Sequence, residues 1–100
     1  MPSYRVSEKA KKDIRAIGIY TQNQWGREQR RKHLSDLERK FQFLAETPRF
    51  AGERKEFSPP VRIHHHERDW VVYVRDEHGI LIVRVLHDAM NVPTQMAEPS

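Results

Sequence analysis

The sequence contains no cysteine, which removes disulfides, thiolate metal sites and cysteine nucleophiles together. It has only four glycines, none grouped into a phosphate-cradling loop, and no internal repeat. No apolar run approaches the roughly 20 residues needed to cross a bilayer, and the opening MPSYRVSEKAKK has no hydrophobic signal core. These absences predict a soluble protein suited to a reducing, cytoplasmic compartment. At 100 residues the chain fits one compact domain and leaves no room for a second.

Charge is present but uneven. The net charge is +4 with a sequence pI near 9.7, yet residues 1–40 carry 11 Lys/Arg against 5 Asp/Glu, while residues 41–100 carry 7 against 9. A basic first half is attracted to an acidic protein or a phosphate backbone; the same residues also suit a solvated helix face.

Hydrophobic period supplies the organisation. Tyr4–Val6 reads as a short strand, and Ser7 as the N-cap of a helix carrying Ala10, Ile14, Ile17 and Tyr20 at three- and four-residue spacing. Gly26, just after Trp25, supplies the left-handed conformation that ends a helix. A second helix runs from about Arg27 to Glu46 with Leu34, Leu37, Phe41 and Leu44 as its apolar stripe. The segment TPRFAGERKEFSPP, 47–60, reads as a loop. Beyond it the period becomes two: VRIHHH, WVVYVR and ILIVRVL are strands, the last two joined through DEHG, whose Gly79 suits a hairpin turn. The expected fold is α+β, in the order β-α-α-β-β-β, with a helical hairpin packed on a small antiparallel sheet. The domain is placed at 1–90 and a flexible tail at 91–100.

The triplet His64, His65 and His66 invites a metal-site reading, because neutral imidazole is a common ligand. On a strand His64 and His66 share a face and His65 points the other way, so the triplet offers at most two ligands where structural zinc takes four. His78 and His87 lack short ligand spacing to it. The expectation is a sheet surface without metal or other cofactor. Tyr20 and Trp25 are expected to close the helical hairpin against the sheet. Arg84 interrupts an apolar strand and needs water, a partner or a carboxylate, with Glu67 and Asp76 as cross-strand candidates.

An ordered set of residues carries a family resemblance: YRVS at 4–7, Ala10, Asp13-Ile14, Ile17, Tyr20-Thr21 ahead of Trp25-Gly26, Leu37, Leu44-Ala45, Pro48, Gly52, Arg62, Tyr73, and IVRVLH at 82–87. Over nearly its whole length the chain resembles the ParE branch of the ParE/RelE toxin superfamily, the toxin halves of bacterial type II toxin–antitoxin modules. The resemblance implies a cognate antitoxin that wraps the toxin and poisoning of DNA gyrase by binding. Its expected partner-binding residues are Trp25, Arg62, Tyr73, Arg84 and His87. In relatives a glycine commonly follows the strand at 61–66, where this chain has HERD.

The alternative from the same superfamily is a ribosome-dependent mRNA endonuclease. That chemistry needs a base for the ribose 2′-OH, cations around the phosphate and an acid for the leaving oxygen. The candidates are Glu56 and His87 as acid or base, with Lys55, Arg62 and Arg84 around the phosphate. A tyrosine carried by several nuclease relatives near the end of the last strand is missing from HDAM, 87–90, and alternation sends Arg84 and His87 to opposite faces. A non-toxic basic interaction module is the third reading. Direct nucleic-acid binding stays open.

Overall fold

The computed structural model describes residues 3–88; the tail expected at 91–100 lies outside them. In chain order the elements are β1 (Ser3–Val6), α1 (Glu8–Trp25), α2 (Arg27–Glu46), β2 (Glu53–Arg54), β3 (Val61–His66), β4 (Asp69–Asp76) and β5 (Gly79–His87). The α+β class and the strand-helix-helix-strand order agree with the sequence reading.

Local chemistry sets the boundaries. Ser7 accepts from the Ala10 N–H through its hydroxyl at 3.0 Å and donates to the Val83 carbonyl at 2.8 Å. One side chain thus starts α1 and ties that start to β5. The helices are separated by Gly26 alone, whose φ of 95° lies where a Cβ is strained. Its N–H closes α1 on the Gln22 carbonyl at 2.8 Å.

The sheet order is β1-β5-β4-β3-β2. β2 to β5 pair antiparallel, but β1 joins β5 in parallel, from Ser3↔Gly79 to Val6↔Ile82. The sheet is therefore mixed, because the first strand returns to the outer edge of the last. β2, two exposed residues inside the expected loop, pairs only with Arg62 and Val61. It is anchored by that loop's contacts: Arg62 donates to the Ala51 carbonyl at 2.6 Å and the Tyr73 hydroxyl to the Pro48 carbonyl at 2.8 Å.

Ile17, Leu37, Phe41 and Leu44 from the helices meet Val71, Tyr73, Ile80, Ile82 and Val85 from the sheet in one core. Each such side chain contributes about 1.5–3 kcal/mol on burial. Val72 pairs with Arg84 and Tyr73 with Ile82, which leaves Val83 as an extra residue in β5. The bulge lets Ile82 and Val85, three residues apart, both reach that core.

Arg84 does not pair with Glu67 or Asp76. Its Nε and Nη2 donate to the two oxygens of Asp13 on α1 at 2.7 and 3.0 Å, and the Val85 N–H donates to the same carboxylate at 3.0 Å. β1 ends at Val6 opposite Ile82, so the next edge N–H of β5 has no strand beside it, and Asp13 supplies the acceptor. Asp76 is bound to Arg5 on β1.

Candidate functional site: a cleft between the helical hairpin and the sheet end

Trp25 does not close the hairpin. It continues the buried face of α1 that includes Ala10, Ile17 and Thr21, but one turn past Thr21 the sheet beneath has reached its last rung, Asp69↔His87. The indole is 68% exposed. Below the overhang is an open cleft of about 660 Å³, walled by Tyr20, Thr21, Trp25, Gln29, His33 and His87. Glu67 and Arg68, the turn between β3 and β4, form part of its lining. Glu67 adopts a φ of 55°, so the turn takes a left-handed residue that is not glycine.

Behind the wall His33 Nε2 meets Asp69 Oδ2 at 2.6 Å. Asp69 is 2% exposed, and among the described residues its Oδ1 has no hydrogen-bond partner. That hydrogen bond chiefly raises the His33 pKa, against a smaller opposing effect of burial. His87 shows the reverse: burial lowers its pKa more than nearby Asp69 raises it. The His87 ring lies 5.1 Å from Tyr20 and 6.3 Å from His33, centroid to centroid. Near neutral pH the floor therefore combines a histidine biased toward the cation with one biased toward neutrality.

This pairing has a pH signature. His33 contributes stability that is fully present below the unfolded histidine pKa of about 6.5 and is lost as pH rises through its higher folded value. His87, with a depressed folded pKa, contributes stability that is present above the unfolded value and lost as pH falls through its folded one. In His33→Gln, which keeps a neutral donor, the melting-temperature deficit relative to wild type is expected to be widest in mild acid and to narrow as pH rises. A deficit that does not change with pH would dismiss the charged pair.

The residues singled out in the sequence are distributed over the molecule. Trp25 and His87 share the cleft. Tyr73 is fully buried in the core and Arg62 holds the 47–60 loop, while Arg84 is engaged with Asp13. Glu56 is exposed and bound by Arg54 at 2.7 Å, an interaction that lowers its pKa. It lies with Lys55 just after the Arg54↔Val61 rung, whereas His87 is on the rung that continues to His66. Five strand residues at about 3.3 Å each put these positions about 16 Å apart.

His33 and Asp69 were not singled out in the sequence. One signal existed: His33 stands one turn before Leu37 and in line with Phe41 and Leu44, so it extends the apolar stripe of α2. Nothing local marked Asp69, 36 residues away. The histidine triplet alternates as expected. His64 stacks with His66 at 6.3 Å and meets Phe50 at 5.3 Å, while His65 stacks on Trp70 at 4.0 Å. The triplet is built into aromatic contacts on the two faces of β3.

Comparison with known proteins agrees with this architecture. The family described as ParE toxin of type II toxin-antitoxin system, parDE, matches residues 4–92. The chain is 29% identical over 99 residues to Toxin ParE of Escherichia coli, covering 98% of this chain and 96% of that one. It is 31% identical over 91 residues to Toxin ParE1 of Caulobacter vibrioides, covering 91% and 94%. The cleft, the mixed sheet and the helical hairpin are thus features of a chain that belongs to the ParE toxin family of type II toxin–antitoxin systems.

Proposed function

We propose that the protein arrests growth by binding DNA gyrase, with no hydrolytic chemistry of its own, and that a cognate antitoxin neutralises it by covering its surface. The observation that carries this reading is the dispersal of the proton-transfer candidates. General acid–base catalysis needs its groups within about 2.6–3.2 Å of the protons they move. Glu56 and His87 lie at opposite ends of the sheet, and Arg54 favours the ionised form of Glu56, the wrong form for an acid. Arg84 is committed to Asp13. Family membership supports the toxin role, and the basic first half of the chain favours association with an acidic partner or a DNA-bound target.

The test uses purified wild-type protein in two assays. With gyrase and plasmid, cleaved DNA is expected to accumulate. With translating ribosomes, messenger RNA is expected to remain whole. The double variant Lys55→Ala/Glu56→Ala, altered only at exposed positions, should keep most of the toxicity, where a general acid–base nuclease relying on Glu56 would lose about 10²–10⁴-fold. Messenger RNA cut by wild type and spared by the double variant, with gyrase unaffected, would replace this reading with the nuclease.

A further inference from the structure

Beyond the toxin's target, the cleft has a chemistry of its own. Its walls combine aromatic faces, Tyr20 and Trp25 on α1 and His87 on β5, with the polar groups of Thr21, Gln29 and His33. His33 uses Nε2 on Asp69, which leaves Nδ1 as its other hydrogen-bonding nitrogen. Arg68 contributes a cation to the lining and Glu67, beside it, an anion. The first turns of α2, which supply Gln29, also carry Arg27, Arg30, Arg31 and Lys32, although Arg30 is bound to Gln22 at 2.7 Å and Arg31 lies 3.8 Å from Glu28. The volume falls within the range of about 300–1,000 Å³ typical of small-molecule sites.

An aliphatic or phenyl side chain from a protein partner fits this lining poorly. It would cover the Tyr20 hydroxyl, the Gln29 amide and the His33 ring without offering them a hydrogen-bond partner, and buried polar groups left unpaired are costly. A flat heteroaromatic ring with donors and acceptors around its edge satisfies both sets of groups. Its π-face matches Trp25 and Tyr20, and an attached phosphate matches Arg68.

We infer that the cleft between the helical hairpin and the β3–β4 turn is a binding site for an unstacked nucleobase carrying its phosphate. A base inside a duplex cannot present its face, so the ligand is a single strand or a free nucleotide. The exposed indole is the principal stacking surface. The site binds without cleaving, and nothing in it depends on which enzyme the toxin arrests.

The experiment uses the full chain. The sequence has two tryptophans, so Trp70→Phe leaves Trp25 as the only indole and makes its emission a direct reporter. The probes are a short oligothymidylate, thymidine monophosphate, a blunt duplex and N-acetylphenylalanine amide. Saturable quenching by the oligothymidylate, with the duplex much weaker, is the expected result. A monophosphate that binds as tightly as the oligomer identifies a free nucleotide as the ligand, and a much weaker one identifies a strand. In parallel, the anisotropy of a labelled oligothymidylate is followed with wild type and Trp25→Ala. The exposed position spares the fold, and loss of a base stack lowers affinity about 5- to 150-fold. Equal affinity of wild type and Trp25→Ala overturns the inference in favour of backbone attraction to the basic helices. Quenching by the phenylalanine amide but not by the nucleotides overturns it in favour of a protein side chain.

Discussion

Asp13→Ala is expected to lower the melting temperature by about 10–20 °C, the equivalent of about 2–3 kcal/mol in a domain of this size. One carboxylate accepts three hydrogen bonds, two from the Arg84 guanidinium and one from the Val85 N–H. The side chains are 11% and 21% exposed. Removing one member of a fully buried pair costs about 3–5 kcal/mol; partial exposure lets water recover some of that here. Asp13→Asn keeps the shape and one acceptor, so its loss should be smaller. A shift below about 4 °C for the alanine variant, little more than a surface substitution gives, would show that Asp13 is not the edge cap described above. This bears directly on Arg84 as a partner-binding residue. Loss of toxicity in Arg84→Ala must be compared with its melting curve, since the same substitution removes an internal tie between α1 and β5.

Gly79→Ala should be at least as damaging, about 2–4 kcal/mol from overpacking together with an unfavourable backbone conformation. Gly79 has a φ of 134°, and a Cβ built there would lie 2.0 Å from the Ser3 carbonyl oxygen. That oxygen belongs to backbone and cannot swing aside. Relief comes only by moving β1 away from β5, the strand it pairs with from Ser3↔Gly79 onward. Hydrogen exchange should therefore speed up selectively along β1 and the facing edge of β5, while β3 and β4 stay protected. Uniform acceleration across the whole sheet would instead mean global destabilisation without release of the first strand.

What the sequence made legible was local. Ser7 and Gly26 punctuate a strong helical period, so α1 and α2 could be bounded, and alternation between turns located β3, β4 and β5. What stayed hidden depended on partners far along the chain. The parallel pairing of β1 with β5 spans 76 residues between register partners, from Ser3 to Gly79. Asp13 and Arg84 are 71 residues apart, whereas cross-strand pairing alone points to Glu67 and Asp76. The bulge at Val83 leaves no compositional mark, and β2 is too short to set a period. At the site, Trp25 and His87 stood out by residue type, but their convergence on one cleft depends on how far α1 overhangs the sheet. His33 joins them through Asp69, a contact that only the folded chain brings within reach.

The junction of first and last strands also governs when this molecule comes into being. Closing a loop of that length carries an entropy cost of about 4 kcal/mol, and contacts so distant in sequence slow folding relative to the helical hairpin, which can form from its own neighbours. During synthesis β1 emerges well ahead of β5, and its pairing surface stays open until that strand has followed. A chain stopped before Gly79 has no strand to receive Ser3–Val6, no Val83 carbonyl to accept from Ser7 and no Val85 N–H to donate to Asp13. Such a fragment carries an unfinished sheet and exposed apolar helix faces, the features of aggregation-prone folding intermediates. Termination ahead of β5 is therefore expected to yield an unfinished fold, and the sheet that joins β1 to its partner exists only once β5 has been made.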